Sequence, residues 1–196
     1  MAATKAEGFG WPRAVSIQLS AHSIQCYFCN FSAKRGEVTD KESILYADTR
    51  GNAVFLLLGK ENRPVGAELR GTGSARWRGM APGSQKDLGY FSVPASGRTM
   101  IVLCESAIDA MSCFLLHPSS LCVSTSGARP NPRWLPSFLS QRHDLYCGFD
   151  SDATGDAVAE QMMALYPSVR RLRPAQHDWN DVLTFHPDNN ATASLP

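Results

Sequence analysis

The order of apolar and polar residues divides the chain into regions of different pattern. Ala53 to Leu58 is a six-residue apolar run between Gly51-Asn52 and Gly59, the signature of a strand bounded by turns. Val65–Leu69 and Leu88–Val93 are two further short candidates, separated by the glycine-rich stretch Gly71 to Gly83. Short strands punctuated by Gly and Pro predict a small β-rich domain over residues 44–93. Pro94 to Arg98 reads as a linker, and after it strands and helices alternate. Thr99–Cys104, Ser120–Ser124, Leu145–Phe149 and Val169–Leu172 are the predicted strands. Between and after them the spacing predicts helices over Ser106–Leu116, Trp134–Leu139, Ala157–Tyr166 and Trp179–Phe185, with Pro118 and Pro167 as stops. Strands apolar on both faces that alternate with helices predict an α/β fold, a parallel sheet flanked by helices, over residues 99–185. Residues 1–43 lack sustained periodicity and read as an N-terminal arm or truncated element, and residues 186–196 as a tail. No internal repeat or low-complexity tract is visible.

Composition narrows the class. The 196 residues are 43% hydrophobic and 19% charged, which excludes wholesale disorder. No apolar run approaches the roughly 18 residues that would cross a membrane, and Met1 to Trp11 does not have the pattern of a secretory signal. A net charge of +1 excludes a globally basic binder but not a local basic groove. Cys104, Cys113, Cys122 and Cys147 lie inside apolar runs and read as reduced core residues of a cytoplasmic protein. Cys26 and Cys29 form a CxxC, but with His22 they supply at most three of the four ligands of a structural zinc, so no zinc is expected.

Three acids occupy strand ends. Glu105 follows Thr99–Cys104, and Asp150 and Asp152 follow Leu145–Phe149. Ligands of open parallel sheets gather beyond the carboxyl ends of the strands, so the three carboxylates converge if these strands are neighbours. Clustered carboxylates repel, and a divalent cation holds them ionised together; all-oxygen ligation favours Mg²⁺ or Mn²⁺. Helix capping is the competing role for Asp152.

Glu105-Ser106-Ala107-Ile108-Asp109-Ala110 resembles the E-G-x-x-D-A motif of Toprim domains, Asp150-Ser151-Asp152 with Gly155 the D-x-D motif with its following glycine, and Asp178-Trp179-Asn180-Asp181 the closing D-x-N-D element of primase-like members. Residues 44–93 are similar to the uncharacterised domain that precedes Toprim in primase-like proteins of cyanobacteria and mobile elements. The resemblance implies a Toprim, Rossmann-like sheet with Mg²⁺-dependent phosphoryl or nucleotidyl transfer on nucleic acid, in DNA replication or mobile-element maintenance. It implies Glu105 as general acid/base and metal neighbour, Asp150 and Asp152 as metal ligands, and Asp109, Asp156, Asp178 and Asp181 as supporting acids. Single-stranded DNA, nucleotides and a helicase are the implied partners. Two positions depart from the pattern: Ser106 stands in place of the usual Gly, and His177 where a Lys often precedes the last element.

Arg70, Arg76, Arg78 and Lys86 interleave with Trp77 and glycines, a composition suited to phosphates plus one stacking ring. Arg170, Arg171 and Arg173 form a second cluster near the acids, and Gly127 is placed to let backbone approach a phosphate. Neither a P-loop nor a G-x-S-x-G elbow is present. Toprim nucleases use the same acids, so hydrolysis is one alternative to nucleotidyl transfer; a non-catalytic nucleic-acid or protein binding module and a truncated copy of a longer element protein are the others.

Overall fold

A computed structural model describes residues 44–72, 77–93, 100–141 and 143–185. The arm 1–43 with His22, Cys26 and Cys29, the residue Arg76, the linker Pro94 to Arg98 and the tail 186–196 lie outside the described residues.

The first sheet is a four-stranded antiparallel meander: β1 (Leu45–Ala47), β2 (Ala53–Leu58), β3 (Pro64–Arg70) and β4 (Arg78–Met80), in that spatial order. Its register sets Phe55 opposite Glu68, and Glu68 opposite Met80, while Arg70 faces Arg78. Because side chains alternate across a strand, Phe55, Glu68, Arg70, Arg78 and Met80 share one face. β4 forms within the glycine-rich stretch, where composition alone suggests only a loop.

The second sheet has the order β5-β7-β6-β8-β9, from Ser92–Val93, Ser120–Ser124, Met100–Cys104, Asp144–Cys147 and Val169–Arg171 respectively. All its pairings are parallel except that of β5 with β7. The predicted strand Leu88–Val93 is thus divided. Tyr90 makes a single bridge to Leu58 of the first sheet, while Ser92 and Val93 join the second. The boundary between the sheets is therefore a shared seam. Phe55 and Phe91 meet edge-on across it at 5.4 Å, a contact worth about 0.5–1.5 kcal/mol beyond area burial.

Helices α1 (Ala107–Leu116), α2 (Pro136–Leu139), α3 (Ala153–Leu165) and α4 (Trp179–Thr184) fill the connections. Three of them start on the same device, an extended residue whose side chain accepts the backbone N–H three residues on: Ser106 from Asp109, Asp152 from Gly155 and Asp178 from Asp181. One core cluster joins Leu45, Phe55 and Phe91 to Val102, Met111 and Trp179. The other packs Ile101, Leu103 and Val123 against Trp134, Phe138 and Met162 on the opposite face of the sheet. Cys104, Cys113, Cys122 and Cys147 are free and buried, with burial pushing the Cys104 and Cys147 thiols up to about 12. They are inert core residues. No helix among the described residues is long and apolar enough to cross a membrane.

Candidate active site

The pairing of β6 with β8 brings the two acid-bearing strand ends side by side. Past β6, Glu105 Oε1 accepts the backbone N–H of Asp150 at 3.2 Å. Glu105 is half-buried, and its pKa is raised by that burial; the Asp150 N–H opposes the shift, repulsion from Asp152 adds to it, and Arg78 and Arg171 oppose it. Asp150 is pushed up to about 7, first by burial, then by Asp109, Glu105 and Asp178, with His177 acting the other way. Its Oδ1 is buried and, among the described residues, has no hydrogen-bond partner.

Asp109, only 6% exposed, lies one helical turn beyond Glu105 and accepts a hydrogen bond from Ser106 Oγ. Burial raises it to about 6; Ser106 and Arg70 oppose the shift, and Asp178 and Glu105 add to it. Asp109 is thus a member of the acid cluster rather than a solvated helix charge. Asp152 commits Oδ1 to capping α3, through Gly155 N–H at 2.7 Å, and its Oδ2 lies 3.6 Å from His177 Nε2. Asp178 likewise caps α4, and with His177 and Asp181 it offers ligand atoms within 4.8 Å of one another.

Asp156 turns away from the cluster. It pairs with Arg171 at 2.8 Å and Arg173 at 2.9 Å, which hold its carboxyl at about 2. Arg171 also donates to the carbonyls of Cys147, Phe149 and Asp150, bracing the loop that carries Asp150. Arg170 pairs with Asp144 and stacks over Tyr146. The second basic cluster is therefore engaged within the chain.

A cleft of about 370 Å³ separates the acids from the first sheet. Glu105, Asp109 and Asp150 line one wall, and Arg70, Arg78 and Met80 the other. Trp77, 43% exposed, precedes β4. Lys86 Nζ donates to the carbonyl of Ser126, a cleft-lining residue, at 3.0 Å. Ser126 and Gly127, with φ of 56° and 113°, form a left-handed turn beyond β7, where a glycine suits the backbone. Gly127 N–H donates to the Glu105 carbonyl at 2.7 Å.

Sequence reasoning missed Glu68. This β3 residue is 9% exposed and lines the same cleft. It accepts from Ser124 Oγ, from Ser126 Oγ at 3.0 Å and from Ala107 N–H at 3.0 Å. Its signal is an acid opposite Phe55 on the inward face, visible only once the register is known.

Residues 102–183 match the Toprim-like family. They form a Toprim-like domain. Preceding it, residues 39–96 match a family of proteins of unknown function, DUF3991. A 65 kDa protein of Zymomonas mobilis subsp. mobilis is 31% identical over 158 residues, 69% of this chain and 27% of that protein. The fold is similar to the primase fragment of the bacteriophage T7 primase-helicase protein (TM-score 0.54, 16% identity, 70% of this chain and 60% of that one). It is also similar to the RNA polymerase domain of Mycobacterium tuberculosis primase DnaG (TM-score 0.53, 15% identity, 82% and 63%). At such identities these two likenesses establish the fold. This chain spans about a quarter of the Zymomonas protein. The Toprim-like domain accounts for the acid cluster, and the DUF3991 segment for the arginine-bearing wall.

Proposed function

We propose that this chain is a primase-like enzyme that joins nucleotides on a single-stranded DNA template, in DNA replication or mobile-element maintenance, with a cytoplasmic place of action. The observation that carries this reading is Asp150 Oδ1, a buried carboxylate oxygen without a donor among the described residues, in a cluster with Glu105, Asp109 and Asp178. Repelling carboxylates with an unpartnered oxygen fit a hard divalent cation, Mg²⁺ or Mn²⁺. Asp150 is the central candidate ligand, Glu105 adjoins it, and the second oxygens of Asp152 and Asp178 are further donors. Such an ion, when bound, neutralises phosphate charge and polarises the reacting phosphoryl group.

The chain's own residues supply the rest. Glu105 has Oε1 occupied by the Asp150 N–H, which leaves Oε2 to take the proton of the attacking hydroxyl as that oxygen bonds to the α-phosphorus of the incoming nucleotide and pyrophosphate leaves. Its raised pKa brings it toward the operating pH, where a general base works best. Arg70 and Arg78 face the acids across the cleft and would hold the template or nucleotide phosphates, with Trp77 beside them for base stacking. The primase and primase-helicase likenesses support action on nucleic acid and a helicase as a partner.

The test is incubation of the chain with single-stranded DNA, nucleoside triphosphates and Mg²⁺ or Mn²⁺. Short labelled oligonucleotides are the expected product. Shortened DNA would identify a nuclease, and binding with neither product a non-catalytic module.

A further inference from the structure

Glu68 belongs to the DUF3991 segment, yet all three of its described donors belong to the Toprim-like domain. Ala107 N–H is the first donor of α1, two residues after Glu105. A carboxylate there is favoured by the unsatisfied amides and the dipole of the helix start. Ser124 and Ser126 lie at the end of β7, and the turn they enter sends Gly127 N–H back to the Glu105 carbonyl at 2.7 Å. Ser124 Oγ also accepts the Ser126 N–H at 3.0 Å, so the carboxylate and the turn form one network. Glu105 is thus bracketed on both sides by backbone that Glu68 holds. The same strand carries Arg70 two residues on, on the same face and lining the same cleft.

We propose that Glu68 is a positioning residue through which the DUF3991 sheet fixes Glu105 and sets the arginine wall at its distance from the acids. The inference rests on the reading of Glu105 as the catalytic base. A buried carboxylate with three donors is a costly feature for a sheet that serves only as packing, because burial disfavours its charge, and an apolar residue fills such a place as well. It is suited to fixing orientation, since a group displaced by about 1 Å can lose on the order of a hundredfold in rate.

The experiment compares Glu68→Ala, Glu68→Gln and Glu105→Gln in the full chain. It measures primer synthesis and the amide exchange of segments 105–109 and 124–128. Glutamine can still accept from Ala107 N–H while its amide donates to the serine hydroxyls, which rotate to accept. The expected result for Glu68→Ala is turnover lower by about a hundredfold with the KM for template within about twofold, and faster exchange in both segments. Glu68→Gln should restore most of both, while Glu105→Gln stays inactive with parental exchange. A folded Glu68→Ala with parental turnover and exchange would overturn the proposal. So would a Glu68→Gln as inactive as Glu105→Gln, because the charge rather than the position would then matter. If the parent makes no primers, the proposed activity fails, and the exchange data alone decide: unchanged exchange in Glu68→Ala overturns the bracketing, faster exchange upholds it. Should Glu68→Ala not fold, Ser126→Ala removes one donor and is expected to quicken exchange in 124–128; unchanged exchange there would overturn the proposal.

Discussion

The backbone N–H of Asp150 donates to the carboxylate of Glu105, so the ends of two adjacent parallel strands are tied together at the point where their acids meet. That bond orients Glu105 Oε1 and leaves the side chain of Asp150 to find its own counter-charge. Asp150 Oδ1 has no hydrogen-bond partner among the described residues.

Replacing Asp150 with Asn keeps the shape and removes the charge. Asp150→Asn is expected to weaken Mg²⁺ or Mn²⁺ binding by at least about tenfold, some 1.4 kcal/mol, and to abolish metal-dependent turnover. The fold should survive with an equal or higher melting temperature in the metal-free protein, since one member of a repelling cluster becomes neutral. Calorimetric titration beside a thermal melt checks both.

Acid should stabilise the metal-free protein. Asp150 at about 7 and Asp109 at about 6 sit above the usual carboxylate value near 3.9, so the folded state binds their protons more tightly than the unfolded state. Their favourable contribution is complete below about pH 3.9 and is lost as pH rises through about 6 to 7. Melting temperature without metal should therefore rise between pH 8 and pH 5, and rise less in Asp150→Asn. Asp156, at about 2, works in the opposite sense and lower, its contribution being lost only as pH falls from about 4 through 2. An identical pH response in parent and Asp150→Asn would contradict the assignment.

Arg78→Ala should separate substrate binding from metal binding. Arg78 is exposed on the wall opposite the acids, and losing one phosphate contact should reduce the salt slope of single-stranded DNA affinity by about 0.7. Mg²⁺ affinity should stay within about twofold of the parent, whereas a salt slope equal to the parent's would exclude Arg78 from the interface. Fluorescence anisotropy at several salt concentrations gives the slope.

Gly155 should tolerate no side chain. A Cβ there would lie 2.3 Å from the Asp150 carbonyl oxygen, closer than side-chain carbons approach a backbone atom. Gly155→Ala is expected to cost about 1–3 kcal/mol in stability and to displace the Asp150 loop, lowering metal affinity as well. Denaturant unfolding and metal titration on the same variant test the two effects together.

Much of this was legible in the sequence because parallel strands and their helices are coded locally. Met100–Cys104 and Ser120–Ser124 are apolar runs, and Ser106, Asp152 and Asp178 stand at helix starts whose caps are three-residue devices. The placement of Glu105 beside Asp150 followed from strand ends and one assumption of adjacency, which the sheet order meets. What escaped depends on contacts distant in sequence. Glu68 meets its donors 39 to 58 residues away. Ser92–Val93 falls within a predicted strand, but its place in the second sheet depends on pairing with β7, about 30 residues on. The engagement of Arg171 and Arg173 by Asp156 depends on how α3 lies against β9, which no local spacing reveals.

Strand β5 also bears on how such chains change by recombination. A genetic join falling between residues 93 and 100 would part β5 from β7 and deprive Ser124, Ser126 and Ala107 of the Glu68 carboxylate. The product would carry an open strand edge, a template for pairing with other chains, and buried donors without an acceptor. Exchange at that join would therefore favour aggregation over a new activity, because the two segments complete each other's hydrogen bonds.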